Sequence, residues 1–268
     1  MTSTTDEPVQ PGKQQQQQQF VCINCERPVP HLYTRFAASG HIRITHCVAC
    51  QAPADRYIEY DVTLRMLDML LLERRVWRHV LLNSVQLRGG WLPWKLAVVC
   101  MFCDGYRKWI QHYNDVAAAS TTAVALHQED MVFYAAKQIE LYVESFVGGV
   151  ELLLTVSLCL LLLLAAFRLT GAAGGVKIAD VTRALLLANS GKLFFIPALV
   201  WSQPEGGSCE IYLQMVSFYV VMCGALAVSI TLRCSRPLAF AAVAAASVAS
   251  SAATSSLHRR LQPFFNFG

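Results

Sequence analysis

The 268-residue chain is 54% hydrophobic and 15% charged, with a formal net charge of +4. So few charges set it apart from an ordinary soluble domain. So small a charge, without a long basic run, also excludes nucleic acid as a partner. Charges are frequent up to about residue 90 and sparse from Phe146 to Leu257, so the pattern predicts a small polar head joined to a membrane body.

Residues 1–19, ending in the run Gln14 to Gln19, have no means of burying apolar surface and read as a disordered tether. They also lack the apolar stretch of a secretory signal. The amino terminus and the head are therefore expected on the cytosolic side.

Residues 20–61 carry two thiol pairs, Cys22-Ile-Asn-Cys25 and Cys47-Val-Ala-Cys50. Each belongs to a C-x-x-C-x-x-P unit, with Pro28 and Pro53 at equal offsets, so the segment is an internal quasi-repeat. Alternation predicts strands in "HLYTRF" and "HIRITH" with a turn at "AASG", and a third strand in "RYIEY". Two such turns on neighbouring hairpins can bring four thiolates around Zn2+ at about 2.3 Å. A segment this short has too little apolar surface to offset its chain entropy, so the metal would supply folding free energy. The alternative of two disulfides conflicts with a reducing cytosol. His31, His41 and His46 are spare donors, because four cysteines already close the shell. A closed shell has no open position for catalysis, and the head offers too few ligands for a two-metal RING. The zinc expected here is structural.

Residues 62–86 predict an amphipathic helix with Met66, Met69, Leu70, Trp77, Val80 and Leu81 on its apolar side. Arg65, Asp68, Arg74, Arg75 and Arg78 lie on the other side. One reading lays this helix on an anionic membrane surface, with Arg65, Arg74, Arg75, Arg78 and Trp77 in contact. The other packs it on the zinc module with its arginines in water.

The remainder, 87–268, predicts a multi-span membrane domain with spans near 91–110, 146–167, 184–201, 211–232 and 238–257. Of these, 91–110 is short and tilted. The Ala/Ser-rich stretch 238–257 is expected to pack through its small residues if it spans. Cys100 and Cys103 repeat the thiol spacing but read as small apolar side chains on a helix. Arg168, Lys177, Arg183, Arg233 and Arg236 place two loops in the cytosol, whereas acid-rich connections near Asp115, Glu129 and Asp130 and at Glu205 and Glu210 read as lumenal. Five spans put the carboxyl terminus in the lumen, which Arg259 and Arg260 oppose, so a four-span form stays open. The expected fold class is a small β-rich, zinc-ribbon-like module followed by an α-helical polytopic domain of four or five transmembrane helices.

Within 184–201, Asn189, Ser190, Gly191 and Lys192 fall at membrane depth, where an ammonium is costly unless paired or hydrated. Pro197 adds an expected kink. A pocket there would hold a lipid hydroxyl or headgroup at Asn189 and Lys192, with Phe194 and Phe195 against its apolar body. The competing reading is a Lys192 that snorkels while Asn189 and Ser190 bond neighbouring helices. His112 with Asp115, and His127 with Asp130, have the spacing of acid–base pairs but occur in polar loop sequence, and the chain is expected not to be an enzyme.

The stretches "FVCINCERPVPHLYTRF", "IRITHCVACQAPADRYIEYD" and "WRHVLLN", followed by "CMFCDGYRKWIQ", "NSGKLFFIPALVW" and "SITLRCSRPLAF", resemble the Arv family of endoplasmic-reticulum membrane proteins. The resemblance covers most of the chain from Phe20 to about Val243 but neither end. It implies that Cys22, Cys25, Cys47 and Cys50 are the family's zinc ligands. It also implies residence in the endoplasmic reticulum or Golgi and a part in sterol transport and sphingolipid homeostasis. Membrane lipid, sterol above all, is then the expected partner. The other implied role is a scaffold within a lipid-synthesis or glycosylphosphatidylinositol-anchor-synthesis complex.

Overall fold

A computed structural model describes residues 20–35, 42–84, 91–119, 131–170, 177–197 and 208–265, with backbone alone for 112–119, 131–140, 167–170, 208–210, 258 and 261–265. The glutamine tract, the expected turn at 37–40, His41, Glu129, His127, Asp130 and Glu205 lie outside the described residues. So do the side chains of His112, Asp115, Arg168 and Glu210. The chain divides into two compact units, Met1–Gly90 and Trp91–Gly268.

In the first unit, β1 (Phe20–Val21) pairs antiparallel with β2 (Pro28–Val29) across the first cysteine turn. The expected hairpin forms from β3 (Tyr33–Arg35) and β4 (Ile42–Ile44), in the register Tyr33 to Ile44. The sequence quasi-repeat is also a structural one. Val21 pairs with Pro28, and His46 makes an isolated bridge with Pro53 at the same offset. Phe20, Cys22, Val29, Leu32, Cys47 and Ala54 form the head's small core.

The expected third strand does not form. Residues Arg56–Ile58 make a 3-10 turn, because Asp55 caps it by accepting from the Tyr57 N–H at 3.1 Å. Nor is 62–86 one continuous helix. Helix α1 (Val62–Leu70) ends where Leu72 takes a left-handed φ of 57°. The Leu72 N–H donates to the Met69 carbonyl and the Glu73 N–H to that of Asp68, which is the Schellman pattern with leucine where glycine is usual. A short helix α2 (Arg74–Arg78) and a π turn (His79–Asn83) follow.

The second unit is helical: α3 (Leu92–Ala119), α4 (Met131–Thr170), α5 (Ile178–Ala188), α6 (Ser208–Leu232) and α7 (Arg236–Phe265). Among the described residues three stretches are long and apolar enough to cross a membrane: Leu141–Ala166, Ile211–Leu232 and Arg236–Leu257. The expected spans 91–110 and 184–201 are helical where described, yet neither meets that standard. Helix α3 carries Asp104, Arg107 and Lys108 in its middle. After Ala188 the chain tightens into a 3-10 segment, Asn189–Phe194, so the break falls ahead of Pro197.

Helix α7 packs on α4 and α6. Its contact stripe is small, as expected: Ala239, Ala246 and Ser250 are completely buried and Ala242 nearly so. Small side chains let helix backbones approach, which replaces the hydrophobic drive that lipid cannot supply. Val156, Cys159, Leu163, Val181, Leu185, Val228 and Val243 fill the space between these helices.

Candidate functional site

Each cysteine pair sits on a tight turn built by its own backbone. The Glu26 N–H donates to the Cys22 carbonyl and the Gln51 N–H to that of Cys47, both at 2.9 Å. The Cys22 N–H in turn reaches the Arg27 carbonyl, and the Cys47 N–H that of Ala52. Closing these turns requires a left-handed residue directly after the second cysteine, and Glu26 (φ 61°) and Gln51 (φ 57°) supply it.

The turns face each other. The Sγ atoms of Cys22 and Cys50 are 3.7 Å apart, those of Cys25 and Cys47 3.5 Å, and all four lie within 4.8 Å of one another. A tetrahedron with metal–sulfur bonds of about 2.3 Å has edges of about 3.8 Å, so the four thiols can hold one metal ion. A disulfide needs about 2.05 Å, and the described cysteines are all free. N–H groups of Cys50 and Ala49 aimed at the Cys47 sulfur pull its thiol down to about 6, whereas burial pushes Cys22 up to about 12. His46 is exposed and its neighbours take the ligand positions, so the spare-donor reading of His46 gains no support.

Arg78 braces the first turn. Its Nη1 donates to the carbonyls of Ile23 (2.6 Å) and Asn24 (3.0 Å), and its guanidinium pairs with Glu26. Arg74 reaches the same carboxylate at 3.5 Å. Trp77 is 1% exposed and its Nε1 donates to the Met69 carbonyl at 3.2 Å. Trp77 and Arg78 therefore face into the head and are not surface contacts. Arg65 is half-buried, and Arg75, next to Glu73, is the open member of the set.

A second buried network was not anticipated. Asp55 is completely buried; its Oδ2 accepts from Asn83 Nδ2 (2.8 Å) and from His79 Nδ1 (2.7 Å). Asn83 also pairs with both backbone groups of Val21, accepting its N–H at 3.0 Å and donating to its carbonyl at 2.9 Å. An amide side chain thus completes the edge of β1 next to Cys22. Two polar residues four apart in an apolar helix, His79 and Asn83, were the available sequence signal.

In the helical unit the polar residues also converge. Asp104 on α3 is 2% exposed, with Arg107 at 2.9 Å and both Lys108 and Lys192 at 3.6 Å. Lys108 also meets Glu151 of α4 at 2.6 Å, and Thr254 of α7 donates to that carboxylate at 3.4 Å. Helices α3 and α4 come close enough for this because Gly105 has no side chain. A Cβ there would lie 2.6 Å from the Ser145 Cα.

Of the four expected lipid contacts, Lys192 is paired with Asp104. Asn189 is buried and donates to the Leu185 carbonyl at 2.9 Å, while its own carbonyl accepts from Cys100 Sγ. Phe195 is buried beneath Arg107, 4.9 Å from guanidinium to ring. Phe194, stacked edgewise on Tyr219, is 39% exposed and the most open of the four. Asp104 was missed as the counterion, although an acid amid apolar α3 sequence marks such a partner for an intramembrane lysine.

A family model described as the Arv1-like family matches residues 21–227. Curated proteins called Protein ARV1 are similar: one from Bos taurus is 28% identical over 226 residues, covering 84% of this chain and 74% of the relative. One from Homo sapiens is 28% identical, covering 84% of this chain and 77% of the relative. One from Saccharomyces cerevisiae is 38% identical over 79 residues, covering 30% of this chain and 24% of the relative. No solved structure matches the chain at a significant level.

Proposed function

The chain belongs to the Arv1-like family, and on that premise we propose that it is a non-enzymatic mediator of sterol distribution in the endoplasmic-reticulum membrane, with an influence on sphingolipid metabolism. The observation that carries this reading is that one family match runs from the cysteine turns into α6, across both the head with its four thiols and the helical unit.

In the head, Cys22, Cys25, Cys47 and Cys50 hold zinc. Four thiolates in a tetrahedral set suit that soft, geometrically undemanding ion and leave it no open position, so it staples the fold and activates no water. In this reading the lipid site of the bundle is the break at Asn189–Phe194, where Lys192 and half-exposed Phe194 lie. The ammonium provides a donor for a lipid hydroxyl, and the ring provides an apolar wall for the lipid body.

The full chain in mild detergent is expected to retain about one zinc per chain by elemental analysis, and Cys25→Ser is expected to lose it. A photoactivatable sterol is expected to label the 177–197 region, with labelling reduced by Lys192→Ala and by Phe194→Ala. Labelling unchanged by both substitutions refutes the lipid site. A stoichiometric lipid- or anchor-synthesis complex on purification, without saturable sterol labelling, would replace this reading with a scaffolding role.

A further inference from the structure

Helix α1 is turned inside out. At 100° per residue its inward side is Arg65, Asp68 and Met69, all half-buried, and Asp68 is held there by a 2.8 Å bond from the buried Tyr57 hydroxyl. Its outward side is apolar: Val62 is 61% exposed, Leu64 50%, Met66 63%, Leu67 51% and Leu71 71%. These five cover an arc of about 180–200° interrupted only by Thr63. A helix on a water-soluble core shows the opposite arrangement. This sequence places its charges against the head and its leucines outside.

We infer that this face of α1 docks on a phospholipid bilayer, so that the head lies on a membrane surface. Three observations favour lipid over a protein partner. The face is a single convex helix, and its outward side offers no aromatic or arginine anchor of the kind protein interfaces use. Ser84 and Trp91 are joined by residues 85–90 alone, a covalent reach of at most about 25 Å, and the chain that follows carries three candidate spans. Where that chain resumes, Trp91 and Trp94 are 78% and 51% exposed, as aromatic residues at a membrane interface are.

The contact is apolar and not electrostatic. Arg65 and Arg78 face the head, and Arg74 pairs with Glu26, so the face is suited to burial at the headgroup–acyl boundary without a requirement for anionic lipid. It is independent of which lipid the bundle handles.

The test uses the full chain in nanodiscs, with p-benzoylphenylalanine replacing Leu67 or, as a control, the exposed Glu59. Irradiation is expected to give phospholipid adducts from position 67 and at least tenfold fewer from position 59. The yield from position 67 is expected to agree within about twofold between phosphatidylcholine discs and discs containing phosphatidylserine. Leu64→Ser with Leu71→Ser is expected to cut it at least tenfold at unchanged metal content, and Thr63→Leu to raise it. Adducts to a second copy or to another polypeptide, equal labelling at positions 59 and 67, or labelling that depends on phosphatidylserine would each overturn the inference.

Discussion

Buried Asp55 holds His79, Asn83 and the Arg56–Ile58 turn through its two carboxylate oxygens. Replacing it with alanine removes the acceptor for His79 Nδ1 and for one Asn83 Nδ2 hydrogen, and it deletes the cap on the Arg56–Ile58 turn. Each buried donor left without a partner costs about 1–3 kcal/mol, and the cap about 1 kcal/mol. Asn83 is also the residue that pairs with β1, so the damage reaches the strand leading into Cys22. A loss of about 3–7 kcal/mol lowers amide protection by roughly two to five orders of magnitude, at 1.4 kcal/mol per tenfold. Hydrogen–deuterium exchange on the full chain in nanodiscs reads this directly in peptides spanning 20–30 and 74–84, with the α6 peptides as an internal reference. Asp55→Asn, which keeps one carbonyl acceptor, is expected to lose less. Protection in Asp55→Ala within tenfold of the parent in both head peptides would refute the reasoning.

Arg78→Ala is expected to destabilise the head by about 2–4 kcal/mol, since it strips two part-buried carbonyls of their partner and leaves Glu26 with Arg74 alone. Arg75→Ala, at an exposed pair, should stay within about 0.5 kcal/mol, and equal effects by the same exchange measurement would count against the bracing role. Gln51→Gly relieves a left-handed glutamine and is expected to be neutral or stabilising by up to about 1 kcal/mol. Glu26→Gly relieves the same strain but loses Arg78, so it should destabilise; the reverse order in thermal melts would be inconsistent with this account. Metal uptake by the metal-free protein at pH 7 should release protons, including that of Cys22, whose thiol burial pushes to about 12. Affinity should fall as pH is lowered, more steeply once Cys47, at about 6, also binds its proton; a pH-independent affinity in chelator competition would contradict thiolate ligation. Asp104→Asn leaves Lys192, Arg107 and Lys108 without their shared anion and should lower bundle stability by about 3–5 kcal/mol. Adding Lys192→Met should recover part of that loss in detergent melting, and strict additivity would exclude the pairing.

The sequence alone determined the features whose causes are local. C-x-x-C-x-x-P closes the same hydrogen-bonded turn twice because both turns are completed within a few residues, and apolar runs of 22 to 26 residues mark α4, α6 and α7 because a helix crosses a membrane by length and composition. The Ala/Ser stripe of α7 was legible for a similar reason, since small residues at helical spacing suit close packing wherever the partner lies. The tertiary structure decided which side of α1 faces the head, since amphipathicity gives two faces and does not say which is inside. It also decided that "RYIEY" turns instead of extending, and that Trp77 and Arg78 serve the first cysteine turn. Asn83 pairs with Val21 across 62 residues of sequence and Arg78 with Ile23 across 55. No periodicity encodes such partners, because they depend on where the chain returns and which buried polar groups are still unpaired when it does.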